Sequence, residues 1–561
     1  MKRSLGPRAP WLIASCAACA FAVAAAIRHV WWCDDAFISF RYAQNLNAGL
    51  GLVYNAGERV EGYSNFLWTV WIGLGMRLGV SPEAWSAAWG IVFYGATVAL
   101  LCRLAGRDGR AWLGLPLAGV LAAVHKDMAT FATSGLETAL VTFLVLAAYA
   151  LATAAKSARY AAFSGFVAGL AAVTRPEAIL IAPVIGAWLA WTRRPRAPSV
   201  LAFAAAFLAV FAPFLAWRIA YYHEVLPNTW YAKSAWLPWY GQGLLYLRLY
   251  AQQYAIVLAG LPLALIALVL RPPADEDWIR SLALAGAIAL GYTAYVVRIG
   301  GDFMYARLLL PATPFYLILL ERGLAALLRG HRRVALATAT ALVLALWAAP
   351  APFSGKDGPG GIANEPLYYP ARDLEQQRRQ GFTLRRYFEG QPVTVAYGAS
   401  QARLVYYARP EVAIECATGL TDRWIAHQPL TQRGRIGHEK PAPVAYLLRR
   451  KVDFTLGFVH AEALRLADFV PWTRIWFDDV PGNVVHWDPT ILAEMGRRGA
   501  RFPDLPRYLD GYTAAIDSIP VDRVRVDYER FRRFYFDGAG DSLRERPFLV
   551  RLADAGAARG R

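Results

Sequence analysis

Asp34-Asp35-Ala36-Phe37-Ile38-Ser39-Phe40-Arg41-Tyr42 follows directly on an apolar, Ala-rich run from Trp11 to about Val30. Two adjacent carboxylates are thereby placed at a membrane surface, where charge is costly unless it has a partner or a task. Lys2, Arg3 and Arg8 precede the apolar run, the basic flank of a signal peptide or of a signal anchor. We read an uncleaved first helix whose N-terminus is cytoplasmic.

Working outward, the same apolar character recurs along most of the chain. The 561 residues are 57% hydrophobic, with a mean hydropathy of +0.29, too apolar for an ordinary soluble protein of this length. Phe66 to Val80 is apolar but short and contains Arg77. If it crossed, the next run (82–104) would leave Arg103, Arg107 and Arg110 outside, so a re-entrant or surface-lying segment fits better. Further runs cover about 111–125, 137–155, 159–174, 177–192, 199–219, 251–270, 280–298, 308–322 and 333–350. The inside loops then hold Lys156 with Arg159, Arg193-Arg194 with Arg196, Arg271 with Arg280, and Arg322, Arg329, Arg332 and Arg333. The expectation is a polytopic α-helical protein of about eleven spans in a bacterial inner membrane, with its C-terminus outside. Much of the surplus Arg and Lys behind the formal net charge of +18 lies in such short connections, and no nucleic-acid recognition motif accompanies it.

From about Ala351 the apolar runs stop. The organisation expected is a membrane domain (1–350), a Gly/Pro-rich linker (351–370) and an extracytoplasmic α/β-type soluble domain (371–561). Pro392 to Tyr397 and Lys451 to Leu456 read as strands, and Leu384 to Phe388 and Ala442 to Arg450 as helical pieces; Ala553 to Arg561 reads as a frayed end. Of five cysteines, only Cys33 and Cys416 would meet an oxidising side together, so theirs is the one bridge to consider.

That topology was fixed by basic loops and apolar runs, and it sends the polar motifs to one face. Asp34 and Asp35; Glu58, Glu61 and Asn65; His125, Lys126, Asp127 and Glu137; Arg175 and Glu177; His223, Glu224, Asn228 and Lys233; Asp302 and Arg307 all fall at outer ends of spans. A transporter more often places such groups near the midplane. Asp34-Asp35 reads as a helix cap, as a carboxylate pair in which one pKa is raised so that it takes a proton from a hydroxyl, or as the holder of a divalent cation. Glu61 lies in a turn, free to reach the site or simply solvated. Glu137 follows Ser134-Gly135-Leu136 as at an ordinary helix start. Arg175 at membrane depth calls for an anion, which a lipid-linked phosphate would supply. Asn228 and Lys233 join aromatics in a run that suits a sugar phosphate or an interfacial belt, and Asp302 with Arg307 suits a site or a salt bridge. Asp422, His427 and His438 lie in the densest polar runs of the C-terminal part, read as a loop over an acceptor site or as a solvated loop; His427 and His438 lack zinc-motif spacing.

Together the motifs resemble a family. Asp34 to Tyr42, Gly57 to Asn65, Ser134 to Glu137, Arg175-Pro176-Glu177, Pro227-Asn228 and Gly301-Asp302-Phe303 are similar to those of bacterial GT-C glycosyltransferases related to the mycobacterial terminal arabinofuranosyltransferase, and Thr421 to Lys440 looks like a further family feature. The resemblance implies a polyprenyl-phosphate-linked sugar donor, arabinofuranose first among sugars, and an envelope glycan, lipid or protein acceptor. Asp34 and Asp35 match the family's acidic motif and take the catalytic role; Arg41, Glu61, Asn65, Glu137, Arg175, Glu177, Asn228, Lys233, Asp302, Arg307, Asp422, His427 and His438 become substrate-binding expectations. No certain cofactor is implied. The competing readings are transfer of mannose or aminoarabinose, and a non-catalytic envelope or flagellar-motility accessory protein.

Overall fold

The computed structural model describes residues 9–107, 115–154, 157–192, 196–271, 275–398, 400–456 and 474–559. The chain divides into two compact units: Met1–Leu52, Glu61–Ala371 and Gln432–Gly437 form the first, and Val53–Val60, Arg372–Thr431 and His438–Arg561 the second. The first is a helical membrane unit. Its helices are α1 (Ala9–Arg28), α2 (Ala36–Asn47), α3 (Phe66–Arg77), α4 (Pro82–Arg107), α5 (Leu117–Val124), α6 (Lys126–Ala132), α7 (Thr138–Ala154), α8 (Ala158–Thr174), α9 (Ile181–Thr192), α10 (Arg196–Tyr222), α11 (Asn228–Ala232), α12 (Tyr240–Leu258), α13 (Gly260–Leu270), α14 (Glu276–Ile299), α15 (Thr313–Leu327) and α16 (Arg332–Ala348).

Five stretches among the described residues are long and apolar enough to cross a membrane: Pro10–Arg28, Pro82–Gly106, Arg196–Tyr222, Tyr240–Leu270 and Glu276–Ile299. Shorter apolar helices join them, and the chain is a multi-pass membrane protein. α3, with 12 residues, extends only about 18 Å at the helical rise, short of the hydrocarbon thickness.

The helix borders differ from the apolar runs for identifiable reasons. The run at 111–125 is α5 in part, with residues 111–114 outside those described; it stops at His125, whose backbone is extended (φ −73, ψ 109) and whose ring accepts the Met128 N–H to start α6. The run at 177–192 opens as a 3-10 turn behind Pro176. The run at 251–270 is the second half of Tyr240–Leu270, whose first half is too polar at Gln242 and Arg248 to read as a span. The run at 308–322 begins later, as α15, because Arg307–Leu309 is a 3-10 turn. Lys156, Arg193 and Arg194 lie outside the described residues. Close helix contact comes from small residues: a Cβ on Gly165 of α8 would lie 2.1 Å from the Phe203 carbonyl of α10.

The second unit is built on a five-stranded sheet in the order β2-β1-β3-β5-β4, from β1 (Thr394–Tyr397), β2 (Val412–Glu415), β3 (Phe454–Leu456), β4 (Arg474–Phe477) and β5 (Val480–Val484). β1 pairs in parallel with β2 and β3, and β5 pairs antiparallel with β3 and β4. Parallel pairing needs crossovers, and the helices α18 (Ala402–Ala408) and α19 (Val444–Arg449) lie in them. α17 (Ala371–Phe388) buries Leu384, Tyr387 and Phe388, the last ring stacking on Phe454 at 6.1 Å. Asn55 pairs in both directions with the backbone of Ala413, at 3.0 and 2.9 Å, which ties the early segment Val53–Val60 into this unit.

Cys33 and Cys416 are buried free thiols, so the bridge does not form. The described C-terminal end is a helix, Ser542–Arg559, anchored by the fully buried Phe548, which packs on Tyr512, Tyr528, Phe531 and Phe536; residues 560 and 561 lie outside those described.

Candidate functional site

The polar motifs of the membrane unit converge on the loop Ser134 to Glu137. Gly135 takes a left-handed conformation (φ +81), and a Cβ there would lie 2.8 Å from the Ala36 Cβ, so only glycine lets α2 approach. The Cys33 N–H donates to the Ser134 carbonyl at 2.9 Å, and the Trp68 indole donates to Gly135 O at 2.9 Å. The acidic segment is thus pinned beside Glu137.

Glu137 is the hub. One carboxylate oxygen accepts from Asn65 Nδ2 at 2.7 Å; the other takes Arg175 Nη1 at 2.7 Å and faces Arg307 Nη2 at 3.7 Å. Burial works against its ionisation, but Arg175 and Arg307 outweigh it and hold the carboxyl below the usual range. Asn65 Oδ1 accepts from Ser39 at 3.1 Å and from Thr69 at 3.0 Å, which fixes its amide towards Glu137. Arg175 also grips Glu177 at 2.5 Å, and Arg307 faces Asp302 at 3.5 Å. These residues stand at the end of α8, at the starts of α3 and α7, and within the α14–α15 connection. Successive helices reach one end of the bundle, as the sequence topology requires.

Asp34 and Asp35 differ. Asp34 is buried. Asp35 precedes α2 in the capping position but makes no cap bond, and among the described residues its carboxylate has no hydrogen bond or ion pair. Its pKa is raised: burial acts first, Lys233, Arg307 and Arg435 pull it down, and Asp302 pushes it up. A carboxylate with open lone pairs, set among cations, suits a proton acceptor better than a structural cap.

Sequence reasoning missed Glu365, which is buried in the segment read as a linker. Its carboxyl is pushed up to about 8, by burial first and then by Asp35, with Arg435 opposing. Arg435 donates to it at 3.1 Å and lies over the Phe303 ring at 5.0 Å. Arg435 reaches these partners because Gln432–Gly437 belongs to the membrane unit. In the same segment, a Cβ on Gly437 would lie 3.4 Å from Lys233 Cε.

Other expected residues stand apart from this cluster. Glu61 is not free: Arg218, near the end of α10, pairs with it at 2.8 Å, and the Asn228 N–H donates to its carbonyl at 3.0 Å. A lone arginine inside an apolar run was the signal for that partner. Arg41 is buried on α2. In the second unit Asp422 caps the short helix Arg423–Ala426 and accepts from Tyr446 at 2.6 Å and Arg450 at 2.8 Å, while Arg450 also pairs with Glu58. His427 is exposed, with Nδ1 2.8 Å from the Arg423 carbonyl, and His438 is half-buried. Among the described residues no group of three His, Cys, Asp or Glu is placed to hold a metal ion.

Comparison with solved structures decides the fold. ArnT from Cupriavidus metallidurans in the apo state superposes with a TM-score of 0.55 at 13% identity, over 84% of this chain and 97% of that one. The same protein bound to undecaprenyl phosphate gives a TM-score of 0.52 at 12% identity, over 73% and 87%. The chain has the GT-C fold. A family model for dolichyl-phosphate-mannose-protein mannosyltransferase matches residues 66–217 of this GT-C chain. Curated relatives named terminal beta-(1->2)-arabinofuranosyltransferase are 29% identical over 60% of the chain, from Mycobacterium tuberculosis, and 32% identical over 52%, from Corynebacterium glutamicum. The alignments span 62% and 47% of those relatives' own lengths.

Proposed function

We propose that this protein is a membrane glycosyltransferase that moves a sugar, arabinofuranose first among sugars, from a polyprenyl-phosphate donor to an envelope glycan, lipid or protein acceptor. The reaction runs on the outer face of the bacterial inner membrane, with the N-terminus cytoplasmic and the second unit extracytoplasmic. The observation that carries this reading is the unpartnered Asp35 carboxylate among Lys233, Arg307 and Arg435. The relatives' names favour arabinofuranose; the family model favours mannose less strongly, because it matches a shorter stretch.

In this scheme Asp35 takes the proton of an acceptor hydroxyl. The hydroxyl oxygen bonds to the anomeric carbon as its bond to the phosphate oxygen breaks through an oxocarbenium-like state. Polyprenyl phosphate leaves as an anion, met by Arg307, Lys233 and Arg435. Glu137, Asn65, Arg175 and Glu177 hold Arg307 and the loop in position, and Asp34 supports its neighbour or joins it on a divalent cation.

The test is transfer from radiolabelled polyprenyl-phosphate arabinofuranose into envelope fractions, with wild type, Asp34→Asn and Asp35→Asn at equal expression. Asp35→Asn is expected to lose about 100-fold or more, the scale of general-base catalysis. No wild-type transfer from this donor or from its mannose counterpart would sink the reading.

A further inference from the structure

A cavity of about 770 Å³ in the membrane unit is not used by the scheme above. It is bounded by His125, Lys126 and Asp127 at the α5–α6 break, by Gln253 on α12, and by Trp31 and Trp347. Its size is that of a small-ligand site. Trp31, three residues before Asp34, and Asn364, next to Glu365, line its wall, so close chain neighbours of the acidic cluster bound the cavity.

The lining is unfinished as a protein interior. Gln253 is only 8% exposed, and its buried Oε1 has no hydrogen-bond partner. A buried amide oxygen left so calls for a donor from a bound molecule. Asp127 engages the Tyr254 hydroxyl with one oxygen, at 2.6 Å, and among the described residues its other oxygen has no hydrogen bond. Lys126 commits one hydrogen to the Ala349 carbonyl at 2.7 Å. His125 is no donor to the cavity's centre: it stacks on Tyr254 at 3.9 Å, with Nδ1 facing Met128 N and Nε2 facing the Tyr250 hydroxyl. Trp31 gives an aromatic wall, its N–H already satisfied by Thr130 O at 2.8 Å.

We propose that this cavity seats non-reacting sugar rings of the acceptor glycan, with Asp127 and Gln253 binding hydroxyls and Trp31 covering a ring face. The inference rests on the glycosyl transfer proposed above. Acceptors and donors mixed beside an aromatic face suit a neutral polyhydroxylated ring. Arg28 and Lys126 line the cavity together with Asp127, so the choice of a neutral ring over a phosphate rests on the open acceptors of Gln253 and Asp127 and on Arg307, Lys233 and Arg435 gathering around Asp35 instead.

The experiment uses the full chain in lipid nanodiscs free of glycoside detergent. The probe is a neutral alkyl di-arabinofuranoside carrying a diazirine, and the labelled peptides are mapped by mass spectrometry. Labelling is expected around Trp31 and Lys126 to Thr130, suppressed by the unlabelled glycoside, and reduced at least tenfold in Gln253→Met and Asp127→Asn. Gln253→Leu removes the same acceptor and serves if Gln253→Met fails to fold. Displacement of the probe by polyprenyl phosphate, labelling only elsewhere, or full labelling in folded variants overturns the proposal. Binding is read without turnover, so a chain that transfers sugar but is not labelled loses this inference and keeps the activity. A chain that is labelled here but transfers no sugar loses the activity instead.

Discussion

Asp35 sits where an aspartate ordinarily caps a helix, yet its side chain caps nothing. That leaves its ionisation to set the pH dependence. A base must be deprotonated to act, so kcat/KM is expected to fall as pH drops through its pKa. Because burial raises that pKa, the midpoint lies above the ordinary aspartate value of about 3.9. Lys233 opposes the rise more than any other cation, so Lys233→Gln is expected to move the limb to higher pH. The profile of donor transfer in both proteins is the check, and an unmoved limb would place the base elsewhere. The acidic pair was legible because adjacent carboxylates at a membrane edge are conspicuous. Glu365 was not: it lies among Gly and Pro in a stretch with no periodicity, and only tertiary packing brings it to Asp35 and Arg435. Glu61 was legible as a turn residue able to reach a site but not as a buried partner of Arg218, since neither position dictates how the turn folds back.

Helix existence was written in the apolar runs; helix ends were not. The break at His125 depends on its ring capping α6, and the early start of α12 holds Gln242, buried and donating to the Gly360 carbonyl, and Arg248, exposed. Contact between helices follows small residues instead. On α8, Gly165 lies under the Phe203 carbonyl and Gly169 under Val210, so α8 and α10 touch backbone to backbone. A Cβ 2.1 Å from that carbonyl must push the helices apart. Gly165→Ala is therefore expected to destabilise the protein by about 1–3 kcal/mol, the usual scale of overpacking. Gly186→Ala on α9, where a Cβ meets nothing within 4 Å, is the control and is expected to leave the melting temperature unchanged or raise it. Thermal unfolding in nanodiscs compares them. Equal melting temperatures for the two variants would mean that α8 and α10 are not in backbone contact.

Across the whole molecule, the proposed orientation rests on charge. The surplus of basic residues that gives the net charge of +18 is concentrated in connections such as Arg193-Arg194-Pro195-Arg196, which the positive-inside rule assigns to the cytoplasm. From there to residue 370 the chain passes through α10, the joined α12 and α13, α14, α15 and α16. That is an odd number of passages, provided each crosses once, so the two points lie on opposite faces. The motifs around Glu137 agree, because Asn65, Glu137, Arg175 and Arg307 come from different helix ends and meet in one cluster only if alternate ends share a face. Alkaline phosphatase fused after Pro370 is expected to be active, and fused after Thr192 inactive, since the enzyme needs an oxidising compartment for its disulfides. Activity at both points would break the alternation and with it the common face of the cluster. Activity at Thr192 alone would invert the protein, and the sugar acceptor would then have to be sought in the cytoplasm.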